Sequence, residues 1–246
     1  MTTEAIRVFV GWDSREAICY EVCRRSILEH ASGPVEVVPI KQSELRAQGL
    51  YTRTDDPLAS TEFTYTRFLT PHLAGWQGLA LFCDCDFLWQ ADVGELVALA
   101  RADRPRALWC VQHDYRPSET IKMDDRVQTV YPRKNWSSLM LFDCGHPANA
   151  ALSPARVSAE TGAFLHRMQW LEDADIGAVP EEWNWLEGWS NLNHPDVEPK
   201  VIHYTRGGPW FENWQHVAYA DRWLAAARAV AAEAYDERRG QGRRPL

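Results

Sequence analysis

No apolar stretch in this sequence approaches the ~20 residues a helix needs to span a bilayer, and the opening MTTEAIRVFV lacks the basic start and apolar centre of a secretory signal. Cysteine is sparse and unpatterned: six residues, no C-x-x-C pair, no framework spacing. Without an export signal these read as reduced, mostly buried thiols, and the cytoplasm is the expected compartment. Basic charge is in deficit. Against 34 Asp and Glu stand 26 Lys and Arg, for a net charge of −8 and a pI near 5.5. That balance argues against a nucleic-acid binder, whose footprint would be basic. The glycine-rich signatures are missing too. There is no G-x-G-x-x-G after the first strand-like run, no G-x-x-x-x-G-K-[ST] and no G-x-S-x-G. A dinucleotide-binding turn, a P-loop and a nucleophile elbow are therefore unsupported.

Tryptophan, by contrast, is abundant: twelve in 246 residues, with seven between Trp170 and Trp223. Such flat surfaces stack on sugars and nucleobases, although core packing accounts for most of them. The most informative segment is Leu79–Trp89, LALFCDCDFLW. An apolar run leads into Asp84-Cys85-Asp86 and then into further bulky hydrophobes. Strand alternation places Asp84 and Asp86 on one face and Cys83 and Cys85 on the other. Two carboxylates at the end of a buried strand repel each other unless a cation lies between them, so the pair points to a divalent-metal site.

Strand-like and helix-like segments alternate through the first half. Ile6–Val10 reads as a strand ending at Gly11-Trp12-Asp13. Ser14 is an N-cap candidate for a helix to about Ala31, which Gly33-Pro34 closes, and Val35–Ile40 is a second strand. A polar, irregular segment follows from Lys41 to Thr61. Phe63–Leu73 reads as helical, and Leu79–Cys83 as the third strand. Further strands are expected at Ala107–Val111 and Ser138–Phe142, and a terminal amphipathic helix at Val217–Arg238. This order predicts an α/β fold, a mostly parallel sheet flanked by helices, with ligands beyond the carboxyl ends of its strands. No repeat or clean linker divides the sequence. One domain is expected over residues 1–246: a nucleotide-binding half to about 110, a donor and acceptor half to about 215, then a helix and a flexible tail, RRGQGRRPL. The arginines of that tail fit a solvated end better than a weak peripheral contact with an anionic membrane.

A second segment, Val201 to Phe211, reads VIHYTRGGPWF. A short apolar strand delivers His203. After it come Arg206 and a Gly207-Gly208 turn whose backbone N–H groups can approach an anion. Two carboxylates and an imidazole suit Mn²⁺.

The pairing of a mid-sequence D-x-D with a late H-Y-x-x-G-G-P-W segment resembles the family-8-like retaining glycosyltransferases, the glycogenin and galactosyltransferase group with the GT-A fold. Tyr65-Thr66-Arg67-Phe68-Leu69-Thr70-Pro71 is similar to the helix before that family's D-x-D strand. Ser137-Ser138-Leu139-Met140-Leu141-Phe142-Asp143 resembles its N-[AS]-[GS]-V-M-L-x-N strand. Glu172-Asp173-Ala174-Asp175, followed by Trp183-Asn184, resembles its acidic segment and later W-N. The anchors span residues 6–211 in the family's order.

The resemblance implies a hexosyltransferase that moves a sugar from a nucleotide-sugar, such as a UDP-sugar, with retention of anomeric configuration. Asp84, Asp86 and His203 would hold Mn²⁺ or Mg²⁺, with Asp86 in bidentate contact. Gly11, Trp12 and Asp13 would meet the base or ribose, and Arg67 the diphosphate or ribose. Asp173 would face the donor sugar in a catalytic role alongside Asp86. Cys85, Ser138, Arg206, Gly207, Gly208 and Trp210 complete the expected donor contacts. The family's lysine is missing after His203, where the loop is one residue shorter; Arg206, Lys122 or Lys134 would replace its charge. The acceptor, whether saccharide, lipid-linked or protein, would be read by the Trp183–Trp189 cluster and by segment 112–136 with Lys122, Arg126, Arg133 and Lys134. Two other readings stand beside this one: a haloacid-dehalogenase-like phosphohydrolase, which also sets D-x-D after an apolar strand, and a non-catalytic nucleotide-sugar-binding protein.

Overall fold

The computed structural model describes residues 4–57, 59–114 and 132–241. Its centre is a six-stranded sheet. β1 (Ile6–Gly11), β2 (Val35–Ile40) and β3 (Leu79–Cys83) pair in parallel in the order β2-β1-β3. α1 (Ala17–His30) links β1 to β2 and buries Cys19, Val22, Cys23 and Ile27. Its start departs from expectation. The cap is Asp13, which accepts from Arg15 N and opens a short 3₁₀ turn over Ser14–Glu16; the Ser14 hydroxyl bonds Glu62 instead. Within the polar stretch 41–61 a six-residue helix forms, α2 (Gln42–Ala47). The helix expected over Phe63–Leu73 is shorter: a 3₁₀ turn at Thr66–Leu69 runs into one turn of α-helix, α3 (Thr70–Leu73).

After β3 the backbone leaves this sheet. β4 (Phe87–Trp89) belongs to a second, three-stranded sheet. α4 (Val93–Ala102), capped by Asp92 through Gly94 N at 2.8 Å, leads back to β5 (Leu108–Cys110) in the main sheet. β6 (Leu139–Asp143) then inserts antiparallel between β3 and β5. α5 (Pro154–Ala159) and α6 (Gly162–His166) precede β7 (Ile176–Ala178), which pairs in parallel with β5 at the sheet's edge. Five of six strands share one direction and β6 alone is reversed, so the sheet is mostly parallel. Because β6 and β7 complete the sheet begun by β1 to β3, the main core crosses the boundary expected near residue 110.

The second sheet holds β8 (Trp185–Leu186) and, after α7 (Ser190–Asn193), β9 (Val201–His203). β9 lies between β4, antiparallel to it, and β8, parallel to it. α8 (Ala220–Gln241) closes the fold and packs along α1, with Arg25 Nε on Glu233 at 2.9 Å. This helix runs to Gln241, past the expected end at Arg238, so the first part of the expected flexible tail is helical; residues 242–246 lie outside the described ones. Among the described residues no helix is long and apolar enough to cross a membrane. All six cysteines are free and buried. Cys23 and Cys83 bring their sulfurs to 3.9 Å, and burial pushes the thiols of Cys19, Cys23 and Cys85 well up. They serve as small hydrophobes.

Candidate metal centre

The passage between the two sheets builds the site. β3 ends at Cys83, β4 begins at Phe87, and Asp84–Asp86 form the turn between them. The two aspartates therefore do not alternate along a strand, as the sequence suggested; the turn converges them. Backbone bonds pin it on both sides: Asp84 N donates to Ser138 O at 3.0 Å, and Tyr204 N donates to Asp86 O at 3.0 Å. Register in the small sheet sets Phe87 opposite His203, and the two rings stack at 4.3 Å and 22°. His203 Nε2 thereby comes to 3.5 Å from Asp86 Oδ2.

Ligand atoms of Asp84, Asp86 and His203 all lie within 4.8 Å of one another, the only such trio found among the described residues. The aspartate side chains are 14% and 18% exposed, while that of His203 is 3% exposed. Two carboxylate oxygens and one imidazole nitrogen form a mixed N/O set that suits Mn²⁺ and, through its carboxylates, Mg²⁺. The donor set fits a divalent cation.

Arg67 is part of this centre. Its Nη1 donates to Asp84 Oδ1 at 2.7 Å and to Ser137 O at 2.9 Å, and its guanidinium lies 5.1 to 5.2 Å from the Phe82 and Phe63 rings. The side chain is 6% exposed. Here it balances the partly buried Asp84 carboxylate.

His203 is held from behind. Its Nδ1 lies 2.9 Å from Asn184 Oδ1, and Asn184 Nδ2 donates to Ser138 Oγ at 2.9 Å and Asn135 O at 3.3 Å. Asn184 is fully buried. Asn135 takes the left-handed conformation at φ 66°, as Arg133 does at φ 61°. That double reversal turns the Asn135 carbonyl towards Ser138 Oγ, at 2.6 Å, and towards Asn184. The family resemblance marked Trp183-Asn184 without giving Asn184 a task; only tertiary structure reveals it. His113, just beyond β5, is also near. Burial pushes its imidazole down to about 3, with the field of His203 adding to the effect, and its Nε2 is buried with no hydrogen-bond partner.

Asp13 is fully buried, with its carboxylate held by Arg15 Nε at 3.0 Å, Arg15 Nη2 at 2.8 Å and Glu62 N at 3.1 Å. Burial pushes its pKa up, but the Arg15 guanidinium and these N–H donors more than offset it and leave the group lowered. Its carboxylate organises the turn after β1. Trp12 is half-buried under Lys41, whose Nζ lies 5.7 Å from the ring, and Gly11 is overlaid by the Phe63 ring, which a Cβ would meet at 2.5 Å. The Cys85 side chain is buried at 1% exposure, which leaves its backbone alone for a ligand.

Arg206 turns towards Glu187 at 3.1 Å and the Trp214 ring at 5.5 Å. The Gly-Gly turn is shaped by aromatic packing. Gly207 has φ +125°, and a Cβ on Gly208 would meet the Trp210 ring at 2.0 Å. Trp210 itself packs on Tyr204 and Trp223, with ring centroids at 5.8 and 5.1 Å. Asp173 stays outside the trio. Its side chain is 92% exposed and pairs with Arg133. The turn carrying it enters β7 at the sheet end shared by Ala107 and Asp143, while Asp84 follows the opposite end of β3. Trp183 and Trp185, expected to read an acceptor, are buried. Lys134 is buried near the trio's supporting turn. Lys122 and Arg126 lie outside the described residues.

Protein CDI of Arabidopsis thaliana is 57% identical over 220 residues, covering 89% of this sequence and 84% of the relative. The chain belongs to the Protein CDI family. No family model matches it. Among solved structures, the bifunctional glycosyltransferase WbbM superposes with a TM-score of 0.60 at 18% identity, over 91% of this protein and 49% of that one. GlyE of Streptococcus pneumoniae TIGR4, a glycosyltransferase, gives 0.58 at 13% identity over 96% and 64%. The galactosyltransferase LgtC, solved with donor and acceptor sugar analogues, gives 0.53 at 12% identity over 91% and 96%. This member of the Protein CDI family spans about half of WbbM and less than two thirds of GlyE, but nearly all of LgtC. Its fold is that of the GT-A-type glycosyltransferases, as the motif order implied.

Proposed function

We propose that this protein is a metal-dependent glycosyltransferase that moves a hexosyl group from a nucleotide-sugar, a UDP-sugar in the first instance, to an acceptor with retention of configuration. The observation that carries the reading is the convergence of Asp84, Asp86 and His203 on one point beyond the carboxyl end of β3, in a fold whose neighbours include a galactosyltransferase. Asp84, Asp86 and His203 would hold Mn²⁺ or Mg²⁺, which when bound neutralises the diphosphate of the departing nucleotide. Asp86 supplies the carboxylate facing His203, and Arg67 holds the Asp84 carboxylate in place at 2.7 Å. The turn at Gly11-Trp12 borders the same end of the sheet, because β1 and β3 run in parallel with Val10 beside Cys83. The buried free thiols favour a reducing compartment, the cytoplasm.

Screening nucleotide-sugars for Mn²⁺-dependent hydrolysis tests this. Release of a free sugar from at least one, abolished by chelation, is the expected result. Turnover of none, with phosphate release from simple phosphomonoesters instead, would favour the phosphohydrolase reading. Metal-dependent binding without turnover would favour a nucleotide-sugar-binding protein.

A further inference from the structure

His203 carries two nitrogens with different neighbours, and the structure specifies which one holds the proton. Asn184 Nδ2 faces Asn135 O, a carbonyl that can only accept, at 3.3 Å, and Ser138 Oγ at 2.9 Å. The Ser138 hydroxyl spends its own proton on Asn135 O at 2.6 Å, so its oxygen receives from Asn184. Two acceptors therefore define the NH₂ end of the Asn184 amide, and Oδ1 is the end turned to His203 Nδ1 at 2.9 Å. Since Oδ1 only accepts, Nδ1 must donate. The proton is placed on Nδ1, and in the neutral ring Nε2 presents a lone pair to the side of Asp86, 3.5 Å away.

We propose that Asn184 is a positioning residue for the metal centre: it fixes His203 in the Nδ1-protonated tautomer, so that Nε2 is ready to ligate a divalent cation. The inference rests on the metal reading above. The anchor is rigid because every member is buried or backbone-bound. Asn184 is 0% and His203 2% exposed, Phe87 stacks on the imidazole, and the left-handed Asn135 delivers the carbonyl that orients the amide. Without Asn184 the ring would be free to take its intrinsically preferred Nε2-protonated form, which cannot ligate through Nε2, and to rotate. Loss of an outer partner of this kind weakens metal binding by about 10- to 100-fold.

The test uses the ¹⁵N-labelled full-length protein without metal at pH 8. Long-range ¹H–¹⁵N correlation of the His203 ring, assigned by its disappearance in His203→Gln, is paired with calorimetric titration by Mn²⁺. Wild type should show a protonated Nδ1 and a bare Nε2. Asn184→Leu should shift His203 towards the Nε2-protonated form and weaken Mn²⁺ binding about 10- to 100-fold. Asn184→Asp, which keeps the acceptor and lets Ser138 donate to it, should keep the wild-type tautomer and most of the affinity. An Nε2-protonated His203 in wild type, or unchanged tautomer and affinity in Asn184→Leu, would overturn the assignment; so would loss of the Nδ1-protonated form in Asn184→Asp, which decides the matter if the leucine variant does not fold. Failure of wild type to bind Mn²⁺ at all would overturn the metal reading separately, and the ring spectra would still decide the role of Asn184.

Discussion

Replacing Arg67 by methionine keeps the aliphatic bulk between Phe63 and Phe82 and removes the guanidinium that faces Asp84. Side-chain exposures of 6% for Arg67 and 14% for Asp84 put this pair outside the regime of surface salt bridges, which contribute roughly 0 to 1 kcal/mol. Removing one partner of a buried pair costs about 3 to 5 kcal/mol, because the other charge stays buried and unmatched. Residual exposure of Asp84 places the expected loss near the lower bound, about 3 kcal/mol. For a protein of this size each kcal/mol moves Tm by roughly 2 to 4 °C, so the Tm followed by circular dichroism should fall by about 6 to 12 °C without metal. Asp84→Asn in the same background removes the stranded charge. The double-mutant cycle should then return a coupling well above the roughly 0.3 to 0.5 kcal/mol scatter of independent sites. Mn²⁺ should raise the Tm of Arg67→Met by more than it raises that of wild type, since the cation takes over the work of the missing guanidinium. A methionine variant as stable as wild type, or additive effects of the two substitutions, would refute this account of how the carboxylates are held.

Further outcomes follow from the same geometry. Asp86→Ala should abolish calorimetric Mn²⁺ binding and sugar transfer while leaving apo thermal stability equal or higher, because it relieves repulsion with Asp84; retained full activity would contradict the ligand assignment. Asp13 has a folded pKa held below its usual 3.8, so its stabilisation is present above that value and disappears as pH falls through the folded one; urea titrations should show Asp13→Asn losing less stability than wild type on acidification from about pH 5 to 3. Burial, with Arg67 adding to it, pushes His166 down to about 3. Its contribution is complete above about pH 6.5 and lost as pH drops towards 3, at up to about 1.4 kcal/mol per pH unit. His166→Gln should flatten that part of the stability profile, and an unchanged slope would show that the imidazole is not buried neutral.

The strongly periodic elements were legible in the sequence: β1, α1, β2, β3, β6, the strand carrying His203, and most of α8. Strands of two or three residues such as β4, β7 and β8 carry too little pattern to register, and α2 hid within a polar stretch. Asp84, Asp86 and His203 were readable as candidate ligands because acidic and imidazole groups at the ends of apolar runs are costly without a purpose. Their geometry was not. The turn between two sheets, which brings β9 alongside Phe87, is a tertiary event that period-two alternation cannot foresee. The packing of Gly207-Gly208 was hidden for a related reason: the Trp210 and Trp214 rings beside the positions of their missing side chains could not be placed from one dimension. Arg67 and Asn184 show the same limit, since the partner that defines each role lies 17 and 19 residues away in sequence.

Thermal unfolding in the presence of nucleoside diphosphates, with and without Mn²⁺, tests the central claim most directly, since a clamp made by Asp84, Asp86 and His203 binds the diphosphate through the cation. UDP with Mn²⁺ should raise Tm, by an amount equivalent to about 2.7 kcal/mol at roughly a hundredfold excess over Kd, and UDP with a chelator should not. Absence of a shift with any nucleoside diphosphate, or an equal shift in the chelated protein, would contradict the account.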